Sequence, residues 1–386
     1  MRPQLRPNLL YTSLYRAGEM KLSFTLSSFS SIFSPIFLRA KPGRPISSSS
    51  ISCPPTSLKP QTPLFLRPPT SSATLSDLRK WRDWAKTLAF SVGSTCLESD
   101  NGPETELLYR ELNWLIQDAM ENPKPLLTQL GFLDNYNDGM LLALRADLEE
   151  LYDLWKQRIE ERRPFQYIVG CEHWRDLVLS VQEGVLIPRP ETELVVDLVD
   201  SVIKNNGGLR EGLWADLGTG TGAIAIGIGR ILGTCGRVIA TDLSPVAIAV
   251  ASYNVQRYNL QNKVEIKQGS WFKPLKDVQG ELVGLVSNPP YIPSEHISGL
   301  QAEVAQHEPR LALDGGANGM DDLLHLCNSA ASMLKPGGFF AFETNGEKQG
   351  KFLVDYMKNG TDGSFCDLNI VSDFAGIQRF VTGFRK

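Results

Sequence analysis

Hydrophobic positions recur at three- and four-residue steps through the first half of the chain. Leu78, Trp81, Trp84, Ala85 and Leu88 mark a helix from Ser76-Asp77 onward, and Leu107, Leu108, Leu112, Leu115 and Ile116 mark a second between Pro103 and Met120. A short helix is expected near Pro125 to Leu130. A long one is expected from about Met140 to Arg162, through Leu144, Leu148, Leu151, Leu154, Trp155 and Ile159. No strand pattern interrupts them. Residues 76–163 therefore read as a small α-helical domain whose tryptophans belong to its core.

The pattern changes after Arg163. Glu172 to Val181 and Gly184 to Ile187 are β-rich, so residues 164–190 read as a connector. Pro188-Arg189-Pro190 cannot lie inside a helix, but Glu191 to Val202 can form one directly after it. Beyond lie apolar runs of strand length: Trp214–Leu217, Arg237–Asp242, Val264–Gln268, Leu282–Ser287, Gly338–Glu343, Cys366–Val371 and Gln378–Phe384. Helical stretches separate most of them, one capped by Ser244-Pro245 and one spanning Met320 to Leu334. This alternation predicts an α/β domain over residues 191–386, a doubly wound, mostly parallel seven-stranded sheet of Rossmann-like form.

Two strand ends carry chemistry. The first strand runs into Asp216-Leu217-Gly218-Thr219-Gly220-Thr221-Gly222, where alternate glycines let a ligand approach the backbone. The next strand ends in Asp242, about twenty residues after the last glycine, the spacing at which a carboxylate meets a ribose hydroxyl pair. A strand-end cap is the plainer role for the same residue. Leu282–Ser287 stops at Asn288-Pro289-Pro290-Tyr291. Asn288 offers an acceptor oxygen, two prolines hold the neighbouring carbonyls still, and Tyr291 adds a flat face. Together they suit a planar NH2 group, its hydrogens taken by the Asn288 side-chain oxygen and the Pro289 carbonyl. A proline-terminated strand with an asparagine turn is the alternative.

Composition narrows the classes. The 386 residues are 42% hydrophobic and 21% charged, ordinary for a soluble globular protein. Residues 1–75 differ, with nine Lys or Arg, one acid (Glu19) and fifteen serines, and read as a disordered transit peptide for a plastid ahead of a mitochondrion. Without them 30 basic and 42 acidic residues remain, a net charge near −12 that argues against nonspecific nucleic-acid binding. No run is long enough to span a bilayer. Neither the six cysteines nor the four histidines show metal-ligand spacing, so no metal is expected. No Ser/His/Asp or Cys/His arrangement is evident.

Nicotinamide and S-adenosylmethionine enzymes both fit the glycine turn, but its G-x-G-x-G spacing lacks the pyrophosphate-seating G-x-G-x-x-G. Here the sequence resembles the class I methyltransferases. With its NPPY corner it is similar to the PrmC/HemK family of protein glutamine methyltransferases. The resemblance runs from about Arg163 to the C-terminus and rests on Ile187 to Glu193, the glycine turn, Asp242 with Ser244-Pro245, Trp271-Phe272, the corner, Glu308-Pro309, Leu313 to Gly316 and Lys335 to Gly338. It implies S-adenosylmethionine held by Asp216, Gly218, Thr219, Gly220, Thr221, Gly222, Asp242, Ser270, Trp271 and Asn288. Ser270 stands where relatives carry an acid that cradles adenine with Trp271. The resemblance further implies that Asn288, Pro289, Pro290 and Tyr291 hold the acceptor and carry the catalysis, with Arg189 and Glu191 beside it. Glu191 and Glu193 equally suit the helix dipole.

The implied reaction is methylation of the glutamine amide in the Gly-Gly-Gln motif of an organellar release factor, by a monomer whose helical domain helps hold the protein substrate. A DNA adenine amino-methyltransferase and a ribosomal-protein glutamine methyltransferase use comparable chemistry, and a nonenzymatic S-adenosylmethionine-binding scaffold would need a damaged corner. A loop from Tyr291 to Gly316, polar and mobile by composition, is placed to cover the site. Thr344-Asn345 departs from the family pattern without an assigned role.

Overall fold

The computed structural model describes residues 59–123, 138–204 and 206–386. The helix expected near Pro125 to Leu130, and the leader through residue 58, lie outside them. Three helices, α1 (Leu75–Asp100), α2 (Thr105–Ala119) and α3 (Leu148–Glu160), build the first layer. Their apolar faces meet around fully buried Trp81 and Trp155. The Trp155 indole N–H donates to the Ala85 carbonyl at 2.9 Å, tying α3 to α1.

Two expectations about this region are corrected. Leu141–Leu144 is a strand, β2, paired antiparallel with β1 (Ser71–Thr74), so strands do interrupt the helices. Leu142 and Leu144 point inward while Leu141 is 68% exposed, the alternation of a strand. The helix begins only after Asp147, whose carboxylate accepts the Glu150 N–H at 2.8 Å as an N-cap. The boundary at residue 75 also falls inside the fold. Gln61 donates its backbone N–H to Gln182 Oε1 at 2.6 Å and receives the Ser180 hydroxyl on its carbonyl at 2.8 Å. Leu64 is completely buried.

The connector holds a short helix, α4 (Phe165–Val169), and a hairpin of β3 (Cys171–Trp174) and β4 (Leu177–Ser180). Gly170 ends α4 at φ +76°, and a Cβ there would come within 3.2 Å of the Pro63 backbone. Only glycine satisfies both conditions.

After α5 (Glu193–Lys204) and the short α6 (Gly207–Arg210), strands and helices alternate. They are β5 (Leu213–Leu217), α7 (Ala223–Ile231), β6 (Arg237–Asp242), α8 (Pro245–Arg257), β7 (Val264–Gln268) and β8 (Leu282–Ser287). Next come α9 (Ala302–His307), α10 (Asp321–Met333), β9 (Leu334–Glu343), α11 (Glu347–Asn359), β10 (Phe365–Ser372) and β11 (Gln378–Arg385). The sheet order is β10-β11-β9-β8-β5-β6-β7, parallel from β9 to β7, with β11 antiparallel to β9 and β10 antiparallel to β11.

Alternate strand residues feed two cores. Trp214, Val286 and Phe339 pack with the α5 and α7 valines and isoleucines, while Leu217, Leu285 and Phe340 pack with Leu323, Leu326 and Leu353 of α10 and α11. Burying large aliphatic and aromatic side chains on both faces contributes about 1.5–3 kcal/mol each. The chain winds from β5 outward to β7, then returns to β8 on the other side of β5. That reversal leaves a crevice at the carboxyl ends of β5 and β8, where ligands bind in such sheets.

Candidate active site

Pairing of β5 with β8 sets Leu217 opposite Ser287, so Gly218 and Asn288 emerge side by side. A Cβ on Gly218 would lie 3.9 Å from the Asn288 carbonyl oxygen and 3.5 Å from the Trp271 ring. The glycine turn and the proline corner thus open on the same crevice. Gly218, Gly220 and Gly222 all have positive φ, at +72°, +55° and +83°. This backbone suits glycine, and the turn is held from within, the Gly218 and Thr219 N–H groups both donating to the Thr241 carbonyl at 2.9 Å.

Beneath the turn, Asp216 is fully buried. Its Oδ2 accepts the Thr219 hydroxyl at 2.6 Å and the Ala225 N–H at 3.1 Å. Its Oδ1 is buried with no hydrogen-bond partner among the described residues. Burial pushes this carboxyl up to about 7, outweighing those two bonds, and the Asp242 charge adds to the rise. Asp242 itself accepts the Gly220 N–H at 2.9 Å on one oxygen and the Ser244 N–H at 2.9 Å on the other. Burial raises its carboxyl above the usual range as well. The Ser244 hydroxyl caps α8 by accepting the Ala247 N–H at 3.3 Å.

At the corner, Asn288 Nδ2 donates to the Thr192 hydroxyl at 3.1 Å, and that hydroxyl donates to Glu343 Oε2 at 2.7 Å. The Tyr291 hydroxyl donates to Glu343 Oε1 at 3.1 Å. Glu343 ends β9 completely buried, its carboxyl pushed to about 7 by burial, against the Thr192 bond and with the Glu191 charge raising it further. Thr192 lies within the Ile187 to Glu193 stretch and Glu343 ends a predicted strand, but the sequence assigns neither a role in the site. A polar pair flanking the corner across more than a hundred residues carries no local signature.

Gln349 supports the corner from behind. Its Nε2 donates to the Tyr291 carbonyl at 2.9 Å and to the Gly319 carbonyl at 3.1 Å, while its Oε1 accepts the Asn345 N–H at 2.9 Å. The Thr344 hydroxyl donates to the Arg379 carbonyl at 3.0 Å, fastening β9 to β11. Thr344-Asn345 therefore has a structural task.

Arg189 does not stand free for a substrate. It donates to Glu308 at 2.6 Å and to the Ile187 carbonyl at 3.1 Å, and Glu308 also accepts the Ile187 N–H at 3.2 Å. Its task here is to join two loops that frame the corner. Glu191 is half-buried, and its charge reaches Glu343 and Arg379. Glu193 accepts the Arg175 N–H at 2.8 Å, so it anchors the hairpin as well as starting α5.

The loop after Tyr291 is also corrected. It contains α9 and is fastened to the helical layer. Glu303 accepts from Arg158 at 2.9 Å and from Arg162 at 2.7 and 2.6 Å. Arg158 also reaches Glu111 at 2.7 Å, and Asp100 accepts the Ala302 N–H at 2.8 Å. Burial raises the Glu303 carboxyl, but the Arg162 bonds and the Arg158 charge prevail and hold it low.

Trp271 has φ +48° and turns its indole toward Gly218 and α10, where His325 lies 6.5 Å away between ring centroids. Ser270, half-buried, sits immediately before it. Among the described residues no cluster of acids, histidines or cysteines could hold a metal, and no helix is long and apolar enough to cross a membrane.

A glycine-lined cleft over an unsatisfied buried carboxylate oxygen fits a ligand with a cationic donor, and an acid at the second strand end fits a ribose. S-adenosylmethionine carries both groups. The fold and this cleft define an S-adenosylmethionine-dependent methyltransferase. The "Methyltransferase small domain" family matches residues 196–318. The chain is 38% identical over 275 residues to the release factor glutamine methyltransferase of Synechocystis sp., covering 70% of this chain and 88% of that one. The protein of the same name from Gloeobacter violaceus is 43% identical over 242 residues, covering 63% and 82%. That from Thermosynechococcus vestitus is 37% identical over 304 residues, covering 79% and 97%. This chain belongs to the release factor glutamine methyltransferase family. Among solved structures, the hMettl16 catalytic domain in complex with an RNA hairpin aligns at TM-score 0.43 and 13% identity, over 61% of this chain and 81% of that one.

Proposed function

We propose that the protein methylates the side-chain amide nitrogen of the glutamine in the Gly-Gly-Gln motif of an organellar peptide-chain release factor, as a monomer in the plastid stroma. The observation that carries the reading is the meeting of Gly218 with Asn288, which sets an amide-sized corner beside the cofactor cleft. The names of the relatives support the substrate, and the basic, serine-rich leader supports the compartment.

An amide nitrogen is a weak nucleophile because its lone pair is shared with the carbonyl. Bound S-adenosylmethionine supplies an electrophilic methyl on a sulfonium; Asp216, the glycine backbone and Asp242 would hold it. The Asn288 side-chain oxygen and the Pro289 carbonyl take the two N–H bonds of the acceptor, turning its lone pair toward the cleft. Tyr291 lies against the plane of the amide. Pro289 and Pro290 hold this geometry still, and a well-placed acceptor lowers the barrier by about 7–11 kcal/mol. The nitrogen becomes acidic only after alkylation, so its proton leaves to solvent without a dedicated base.

Incubation of the protein with labelled cofactor and, in parallel, release factor, ribosomal protein and duplex DNA tests the reading. Label on the release factor glutamine is the expected result. Label only on DNA would replace it with adenine chemistry.

A further inference from the structure

We propose that Glu343, acting through Thr192, is the positioning residue that fixes which end of the Asn288 amide faces the acceptor. The inference rests on the acceptor role of Asn288 given above. It is read from the direction of the hydrogen bonds. A hydroxyl has one hydrogen, and Thr192 spends it on Glu343 Oε2 at 2.7 Å. Thr192 can then only accept from Asn288, which it does from Nδ2 at 3.1 Å. Asn288 is therefore held with its NH2 against Thr192 and its oxygen toward the crevice.

The alternative orientation is the unproductive one. If the Thr192 hydrogen were released from Glu343, it could point at the Asn288 oxygen, and the side chain could rotate by half a turn. Asn288 would then present two donors to an acceptor that itself brings two donors. The second oxygen of Glu343 is engaged by the Tyr291 hydroxyl at 3.1 Å, so one carboxylate orients both polar side chains of the corner. The four groups come from three separate segments, namely the turn before α5, the end of β9, and the stretch after β8 that carries both Asn288 and Tyr291. Their convergence has no role in the sheet ladder.

Two measurements on the full chain test this. Thr192→Val keeps the shape and removes the hydroxyl, whereas Thr192→Ser keeps the hydroxyl. The expected result is a kcat loss of about 100-fold for Thr192→Val, with cofactor Kd and Tm nearly unchanged, and recovery to within about three-fold for Thr192→Ser. Selective 15N labelling of asparagine reads the orientation directly: the Asn288 NH2 protons exchange slowly in the native chain and in Thr192→Ser, and fast in Thr192→Val. Native kcat in Thr192→Val, or equal protection of its Asn288 NH2, overturns the proposal. Should Thr192→Val not fold, Glu343→Gln decides, because glutamine can offer Thr192 either an acceptor or a donor. A several-fold kcat loss at unchanged cofactor Kd supports the proposal, and native kcat overturns it. Correct Asn288 protection in a chain that methylates no glutamine would sink the acceptor reading and leave the orientation intact.

Discussion

Ser287 donates its hydroxyl hydrogen to the Leu217 carbonyl at 2.6 Å, across two parallel strands at the heart of the sheet. That bond closes the last rung before both strands let go, and the residues that follow, Gly218 and Asn288, bring the glycine turn against the proline corner. Gly218→Ala should therefore fail in two ways. Positive φ costs a side-chain-bearing residue about 1–2 kcal/mol, and the new methyl would stand in the cleft beside Trp271. Calorimetric titration should show at least about a tenfold loss of cofactor affinity, beyond what the drop in stability explains.

Asp216 titrates near 7 in the folded chain, against an ordinary value of 3.8. Folding takes up a proton between those two values, so this group's contribution to stability falls as pH rises through that window and is constant above it. A cationic cofactor reverses the preference by favouring the charged form. Its affinity should rise about tenfold between pH 6 and pH 8, and Asp216→Asn should flatten that rise.

Glu303 joins the loop after the corner to the helical layer through two arginines, with its own side chain 12% exposed. Glu303→Ala leaves the nearly buried Arg158 with Glu111 as its remaining acid. Chemical denaturation should show a loss of about 2–4 kcal/mol, toward the lower part of the range for broken buried pairs because Arg162 keeps Asp100.

A chain beginning at residue 59 retains every contact described here, whereas one beginning at residue 76 lacks β1, the buried Leu64 and the Gln61 bonds. Burial of Leu64 alone contributes about 1.5–3 kcal/mol. The longer form should show a single cooperative melt, and the shorter form should melt well below it or aggregate.

The strand-turn motifs were legible because each is local: glycine after a β-branched or apolar run, an acid at the next strand end, two prolines after an asparagine. What escaped was held by distant partners. Met140-Leu141-Leu142-Ala143-Leu144 is too short an apolar run for periodicity to distinguish strand from helix, and its strand partner lies some seventy residues earlier, in a stretch whose composition resembles a leader. The capping signal at Asp147, with acids at 149 and 150, does mark the true helix start. Arg189 pairs with Glu308, and Thr192 with Glu343, across separations that no spacing rule covers. The loop after Tyr291 is polar in composition, but Glu303, Glu308 and Asp314 are engaged in ion pairs, an anchoring that composition does not reveal.

The corner's role is tested most directly by one comparison: kcat on release factor and cofactor Kd, measured side by side for the native chain and Asn288→Ala. Turnover should fall by about a thousandfold or more while cofactor Kd shifts by no more than about threefold. Equal losses in both would contradict the assignment of Asn288 to the acceptor amide.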